Sequence, residues 1–439
     1  MTLSMNPIPE PVPPVVWSNP AIPLVDMPAH AVTQSGICPY DSIAPAYDPV
    51  RLRAERLAKV RTMMRHHALD AVLLLDPYNQ RYATGSRNMF GYFLRNSTRY
   101  IYIPASGPIN LFEYPGSSHI STWLETIDEA RISRMVFAAV NGRDAQAMQP
   151  FAQEIADLVR QDAGSDKRHR VGMDRCFHLP ALALQAQGLE VVDIMNLLLD
   201  TRRLKTPGEI ASLALSMSAA EAAVWNVQKR LEPGVTENEL FSHMYQTLIA
   251  QGGEFIETRL LTSGPKTNPW FNEAGDRRVR PAELLALDTD SIGCNGYYAD
   301  FSRTFLCSDH RPTDYQKMLY RLSHDQIRHN EAMIQPGMTF REIAQKAWPI
   351  PPRFYDLRYP SIVHGVGLHG EKPIIAHLAD LDTYTGEGVL EPGMVISIES
   401  YIGEPQGPEG VKLENQYLVT ESGLAPMTRY PFEERLLVG

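Results

Sequence analysis

The sequence predicts an α/β (α+β) chain of two domains, a small alternating α/β unit followed by a larger domain with two pseudo-symmetric halves. Three observations carry that expectation. Residues from about 50 to 200 alternate between helix-like and strand-like runs. A ten-residue pattern then occurs twice, as LEPGVTENEL at 231–240 and IQPGMTFREI at 334–343. Five carboxylates and one histidine (Asp288, Asp290, Asp300, His364, Glu399 and Glu414) gather in the second half, the carboxylates within strand-like segments.

At 439 residues the chain has room for two domains and a large core. An apolar fraction of 44% with 21% charged residues is that of an ordinary soluble protein. A net charge of −10 without a basic cluster argues against nucleic acid or an anionic membrane as partner. The four cysteines, Cys38, Cys176, Cys294 and Cys307, include no close-spaced pair, so neither a disulfide framework nor a thiolate zinc site is indicated. No apolar run approaches the length of a bilayer span, and the N-terminus lacks a basic-then-apolar leader pattern. A cytoplasmic enzyme is expected.

Residues 1–45 read as a Pro-rich arm, because Pro7, Pro9, Pro11, Pro13, Pro14, Pro20, Pro23 and Pro28 block helix and central strand. Val15, Val16, Trp17, Ile22 and Leu24 make the arm apolar enough to bury against its own body or a partner subunit, and a homodimer is expected. The first domain spans 46–204. Its helix-like RLRAERLAKVRTMMRHH precedes strand DAVLLLD; strands RYIYIP and INLFEY, helix QPFAQEIADLVRQ, strand RVGMD, helix LPALALQAQ and strand EVVDI follow. It contains no phosphate loop and no glycine fingerprint.

The second domain, 205–439, opens at Thr206-Pro207-Gly208-Glu209, which offers an N-cap, a first-turn proline and a capping-box glutamate. Both copies of the repeat carry a Pro-Gly turn and a Thr three residues before a Glu, Thr236/Glu239 and Thr339/Glu342. They read as a duplicated helix–turn–helix unit with the carboxylate strands between the halves. With Gly296 left-handed, the loop Cys294-Asn295-Gly296 pairs residue 293 with 297 and sets Asp290 opposite Asp300. Like charges facing across a hairpin repel unless a cation lies between them. An oxygen-rich set with a single imidazole suits two divalent ions.

The hairpin, HGVGLHGEKP, LEPGMVISIES and GVKLENQYLVT together resemble the creatinase/prolidase, or pita-bread, superfamily from about 205 to 439, and the preceding α/β unit suits its N-terminal domain. The resemblance implies metal ligands at Asp290, Asp300, His364, Glu399 and Glu414. The chain departs from the proline-specific peptidases: NPWFNE (268–273) lacks their first histidine, and position 371 is Glu rather than their second. It is more similar to the DddP-type dimethylsulfoniopropionate lyases, through GGEFIETRLLTSGPKTNPWF (252–271), DTD (288–290), RYAT (81–84) and Tyr359 five residues before His364. That resemblance implies a sixth ligand at Asp288. It also implies cleavage of a small zwitterionic substrate to dimethyl sulfide and acrylate, and two divalent ions, with iron expected and manganese, cobalt and zinc as alternatives. The family's catalytic Asp falls on Gly370, which leaves His369, Glu371 or a metal-bound hydroxide as base.

For such a β-elimination, aromatic faces would accept the sulfonium. Trp270, Phe271, Tyr297, Tyr298 and Tyr359 are the candidates, Tyr359 foremost because it lies close to a ligand in sequence. Two other classes stand beside the lyase. One is a metallohydrolase for a dipeptide such as Xaa-Pro, or for a small amidine or amide. The other is a non-catalytic binding protein, against which the intact ligand set argues.

Overall fold

The structure, a computed structural model, describes residues 48–135, 146–164 and 168–438. The Pro-rich arm therefore lies outside the described residues. Helix α1 (Pro49–His66) starts where the Asp48 carboxylate accepts from the amides of Val50 and Arg51. Val60, Met63 and Met64 on its buried face join Val72 and Leu74 of strand β1 (Ala71–Leu74) in one core cluster. Ala71 and Leu73, on the other face of β1, join a second cluster. Burial on both faces explains the unbroken apolar run.

An element absent from the sequence reading follows. Helix α2 (Pro77–Thr84) contains the RYAT segment, is capped by Asp76, and ends at Gly85 with φ of 77°. Strands β2 (Tyr100–Pro104), β3 (Asn110–Glu113), β4 (Glu129–Ile132), β5 (Arg170–Met173) and β6 (Glu190–Asp193) complete a sheet of order β4-β3-β2-β1-β5-β6. Helix α3 (Gln149–Ala163) covers one face through Phe151, Ile155 and Val159. Helix α4 (Met195–Arg202) leads out of the sheet.

Helix α5 (Pro207–Lys229) has the expected capping box between Thr206 and Glu209. Contrary to the sequence reading, it is long and apolar enough by composition to cross a membrane, yet 61% of its apolar window is buried, as in a core helix. Helix α6 (Glu237–Ala250) follows, capped by Thr236 with Glu239. Helices α7 (Asp314–Met333) and α8 (Phe340–Lys346) repeat the unit, with Thr339 and Glu342 at the second cap. The two copies agree beyond their caps. Gly234 and Gly337 are left-handed at φ of 96° and 87°. Their amides donate at 2.8 Å to the carbonyls of Val279 and Leu390 respectively. The domain is a pita-bread fold of two such halves.

The first half contributes strands β7 (Phe255–Ile256), β8 (Leu261–Ser263), β9 (Leu284–Asp288), β10 (Ser291–Ile292), β11 (Tyr298–Ala299) and β12 (Ser302–Leu306), in sheets of order β12-β9-β8 and β11-β10-β7. The second half contributes β13 (Ser361–Val366), β14 (Gly370–Ala376), β15 (Val395–Ile402), β16 (Val411–Thr420) and β17 (Gly423–Pro426), in the order β14-β13-β15-β16-β17. Thr304 joins the sheets: its hydroxyl donates to the Lys412 carbonyl at 2.9 Å and accepts the Lys412 amide at 3.1 Å. Strand alternation then divides the faces. Ile396, Ile398, Ile402, Val411, Leu413 and Tyr417 pack in the cluster that includes Leu319, Tyr320 and Ile327 of α7. Glu399, Lys412 and Glu414 occupy the intervening positions and turn the other way.

Candidate metal centre

The hairpin register is the one the loop demands. Ser291 pairs with Ala299 and Ile292 with Tyr298, and the Gly293 amide donates to the Tyr297 carbonyl at 2.8 Å. The same register continues outward, pairing Asp288 with Ser302. Between these pairs the ladder opens at Asp290, whose φ is 35°. The Thr289 hydroxyl patches the gap, donating to the Ala299 carbonyl at 3.0 Å and accepting the Phe301 amide at 2.9 Å. Asp290 and Asp300 thus meet where the backbone is released from regular pairing.

A second facing pair comes from β15 and β16, where Glu399 lies directly opposite Glu414. His364 on β13 pairs with Ser397, and its Nε2 lies 3.3 Å from Asp300, 3.1 Å from Glu399 and 3.3 Å from Glu414. Its Nδ1, 3.1 Å from the Gly365 carbonyl, donates there and leaves Nε2 directed at the carboxylates. Donor atoms of Asp300, His364 and Glu414, of Asp288, Asp290 and Asp300, and of Asp288, Glu399 and Glu414 lie within 4.8 Å of one another in each set. All six expected ligands are thereby brought together. All are buried except the partly buried His364.

The electrostatics are those of a centre built for cations. Burial and the neighbouring Asp288 push Asp290 up to about 7. Burial and Glu414 raise Asp300 well above the carboxylate range. His364 is raised despite its burial, by Glu399 and by the nearby carboxylates of Asp300 and Glu414. Among the described residues, Asp300 Oδ1 and Glu414 Oε1 are buried without a hydrogen-bond partner. Buried carboxylate oxygens of that kind fit hard or borderline divalent ions.

Sequence reasoning missed Lys412. Its Nζ lies 2.8 Å from Glu399, 2.9 Å from Glu414 and 3.4 Å from Asp288, and donates to the Ser302 hydroxyl at 2.7 Å. A signal was present, because residue 412 must share the strand face of Glu414. Thr258 was missed as well: it donates to Asp290 Oδ2, while the Tyr298 hydroxyl donates to Oδ1 at 2.6 Å.

The aromatic candidates separate. Tyr359 stands with its ring 4.5 Å from Lys412 Nζ, and the ring of Trp270 is 5.9 Å from the same atom. Trp270 is buried, whereas Phe271 is 56% exposed, its ring tilted by 37° against that of Tyr359 with centroids 5.5 Å apart. Phe271 also holds a left-handed φ of 68°, a strained conformation for a bulky side chain. Tyr298 serves Asp290. Tyr297 lies elsewhere: its hydroxyl donates to Glu209 at 2.9 Å and accepts from Arg56 at 3.3 Å.

The two base candidates are engaged. Glu371 is buried with Arg202 Nε at 3.0 Å and Lys205 Nζ at 3.1 Å, and burial's upward push is outweighed by these cations, which bring it down to about 2. Held down by these cations, it belongs to an ion-pair cluster and is a weak proton acceptor at neutral pH. Gly367 lies over this carboxylate so closely that a Cβ there would meet Glu371 Oε2 at 2.2 Å. His369 is lowered by burial and by Arg202. Its Nε2 lies 2.8 Å from Arg202 Nη2, so the neutral ring accepts there and its lone pair is taken. At both positions expected to supply a base the side chain is engaged, because Arg202 reaches this loop from the other domain.

Residues 211–421 match metallopeptidase family M24, and residues 56–204 match the creatinase/prolidase N-terminal domain. The chain is 32% identical over 396 residues to the dimethylsulfoniopropionate lyase DddP of Roseovarius nubinhibens, covering 89% of this chain and 88% of that one. Against the dimethylsulfoniopropionate lyase DddP of Roseobacter denitrificans it is 33% identical over 403 residues, 88% and 89% of the two chains. In fold it is similar to an Xaa-Pro dipeptidase from Bacillus anthracis, with a TM-score of 0.68, 20% identity, and coverage of 87% of this chain and 99% of that one.

Proposed function

The chain belongs to the creatinase/prolidase superfamily, and from that premise we propose that it is a metal-dependent lyase cleaving dimethylsulfoniopropionate, or a similar onium carboxylate, to dimethyl sulfide and acrylate. The observation that carries the reading is Asp288, the extra acidic residue of the DTD segment, which stands inside the carboxylate cluster. The likeness to two dimethylsulfoniopropionate lyases along most of the chain supports it.

Two divalent ions held by Asp288, Asp290, Asp300, His364, Glu399 and Glu414 would supply positive charge opposite the substrate carboxylate; iron is the metal we propose. The elimination transfers a proton from the carbon beside that carboxylate to a general base, and the C–H electron pair becomes the π bond. The new C=C bond forms as the C–S bond breaks, and the sulfide departs with the C–S electron pair. Tyr298 and Thr258 hold Asp290 in one orientation from both oxygens. Lys412 takes a face of Tyr359, which makes the exposed ring of Phe271 the better partner for the onium, a contact of about 0.5–2 kcal/mol. Trp270 adds a buried Nε1–H that has no partner among the described residues and can donate to the substrate.

A second reading is a dinuclear C–N hydrolase, whether Xaa-Pro dipeptidase or small amidine or amide hydrolase. Gly370 and the engaged His369 and Glu371 favour it, since they leave the lyase base unassigned; the absence of histidine from 268–273 opposes it. One experiment separates the two. Purified, iron-loaded protein is given dimethylsulfoniopropionate with headspace detection of dimethyl sulfide, and in parallel an Xaa-Pro dipeptide. Sulfide release without proline release supports the lyase. Proline release alone overturns it.

A further inference from the structure

Lys412 is a buried charge to which neither the metal reading nor the lyase reading gives a role of its own. Its side chain is fully buried, with Glu399, Glu414, Asp288 and the Ser302 hydroxyl around its Nζ. Burying an ammonium costs several kcal/mol unless partners compensate it, so its place here is compensated by design of the strand face. The contacts are also divided within each carboxylate. Lys412 takes Oε2 of Glu399 and Oε2 of Glu414, while Oε1 of each faces His364 Nε2 at 3.1 and 3.3 Å. Holding one oxygen fixes the plane of the group and so aims the other. Tyr359 and Trp270 close over the ammonium and shield it from solvent. Two divalent ions and the one ammonium would balance five ionised carboxylates. Among the described residues, Lys412 is the ammonium in contact with three of these carboxylates.

Resting on the metal-centre reading, we propose that Lys412 is a positioning residue and a resident cation of the site. It turns the Oε1 atoms of Glu399 and Glu414 toward the metal side and keeps the carboxylates assembled before metal arrives. Its role is electrostatic and geometric, and it makes no bond to substrate.

The test compares melting temperatures of chelator-stripped and metal-loaded full-length protein. Lys412→Met, similar in length and neutral, should lower the stripped protein's midpoint by about 5 °C or more relative to wild type. Added divalent metal should recover most of that loss, so the metal-induced shift is larger in the variant. The double variant Lys412→Met/Glu399→Gln removes one charge of each sign and should melt above the single variant when stripped. This pair remains informative if the single variant does not fold, because the double is then expected to fold. A stripped single variant that melts with wild type, or a double variant no better than the single, overturns the proposal. Elemental analysis of wild type is read separately. A wild type that takes up no metal refutes the metal centre while leaving the stripped-protein comparison to judge the cation.

Discussion

At the scale of single residues, the cluster was legible because carboxylates in strand-like surroundings are anomalous, and the structure gathers all six candidate ligands into overlapping groups. Removing one should unbalance the rest. Asp290→Ala or Glu399→Ala is expected to abolish metal binding, and a full complement by elemental analysis in either would refute the site. What was not legible is which polar side chains near the centre are free. A sequence shows His369 and Glu371 beside Gly370 but cannot show Arg202 arriving from more than 150 positions away. With its lone pair taken, His369 is expected to matter little as a base. His369→Ala should keep turnover within about tenfold, short of the 10²–10⁴ typical of a lost general base. Gly370 is the better place to look. It is exposed, a Cβ there meets nothing within 4 Å, and its backbone does not require glycine. Gly370→Asp should therefore fold normally and raise dimethyl sulfide release. A variant that folds and gains nothing would count against the lyase reading.

At the scale of elements, the hairpin was readable to the residue because its loop length leaves one register that faces Asp290 toward Asp300. Helix α2 was equally written in the sequence, with Asp76-Pro77 at its start and Gly85 at its end, yet its short polar run shows no clear periodicity. Its importance lies in what it holds. Arg81 grips Glu254 through two nitrogens, at 2.6 and 2.8 Å, and Tyr78 donates to Glu257. Two segments noted for separate likenesses, RYAT and GGEF, are thus two sides of one contact. Gly296, at the hairpin turn, has φ of 77°, and an added Cβ would come within 2.4 Å of Arg81 Nη1. Gly296→Ala should cost about 1–2 kcal/mol from the left-handed backbone alone, and should loosen the Arg81–Glu254 pair. Chemical denaturation would measure the first effect. Substitution without any loss of stability would show that the turn is not strained by a side chain.

At the scale of the whole molecule, the duplicated halves were visible as a repeat, but the seam between the domains was not. A separate proposal concerns the arm: its apolar residues within 1–45 would belong to a homodimer interface. Deleting 1–30 should then shift the mass towards monomer in light scattering. The seam itself is made of buried charge. Glu371 of the second domain sits between Arg202, at the end of α4, and Lys205, in the short link to α5. Among the described residues neither cation has another carboxylate partner, so the anion is what makes their burial tolerable. Glu371→Gln should cost about 3–5 kcal/mol at neutral pH, since it strands two cations away from water. The pH dependence follows from the sign of the shift. A carboxyl held at about 2 in the folded protein, against 4.5 when free, stabilises the fold above that higher value and loses the contribution as pH falls toward 2. The advantage of wild type over Glu371→Gln in urea unfolding should therefore be constant from pH 7 to about 5 and shrink below that. An advantage that stays level down to pH 3 would mean that packing, rather than the charge of Glu371, closes the seam.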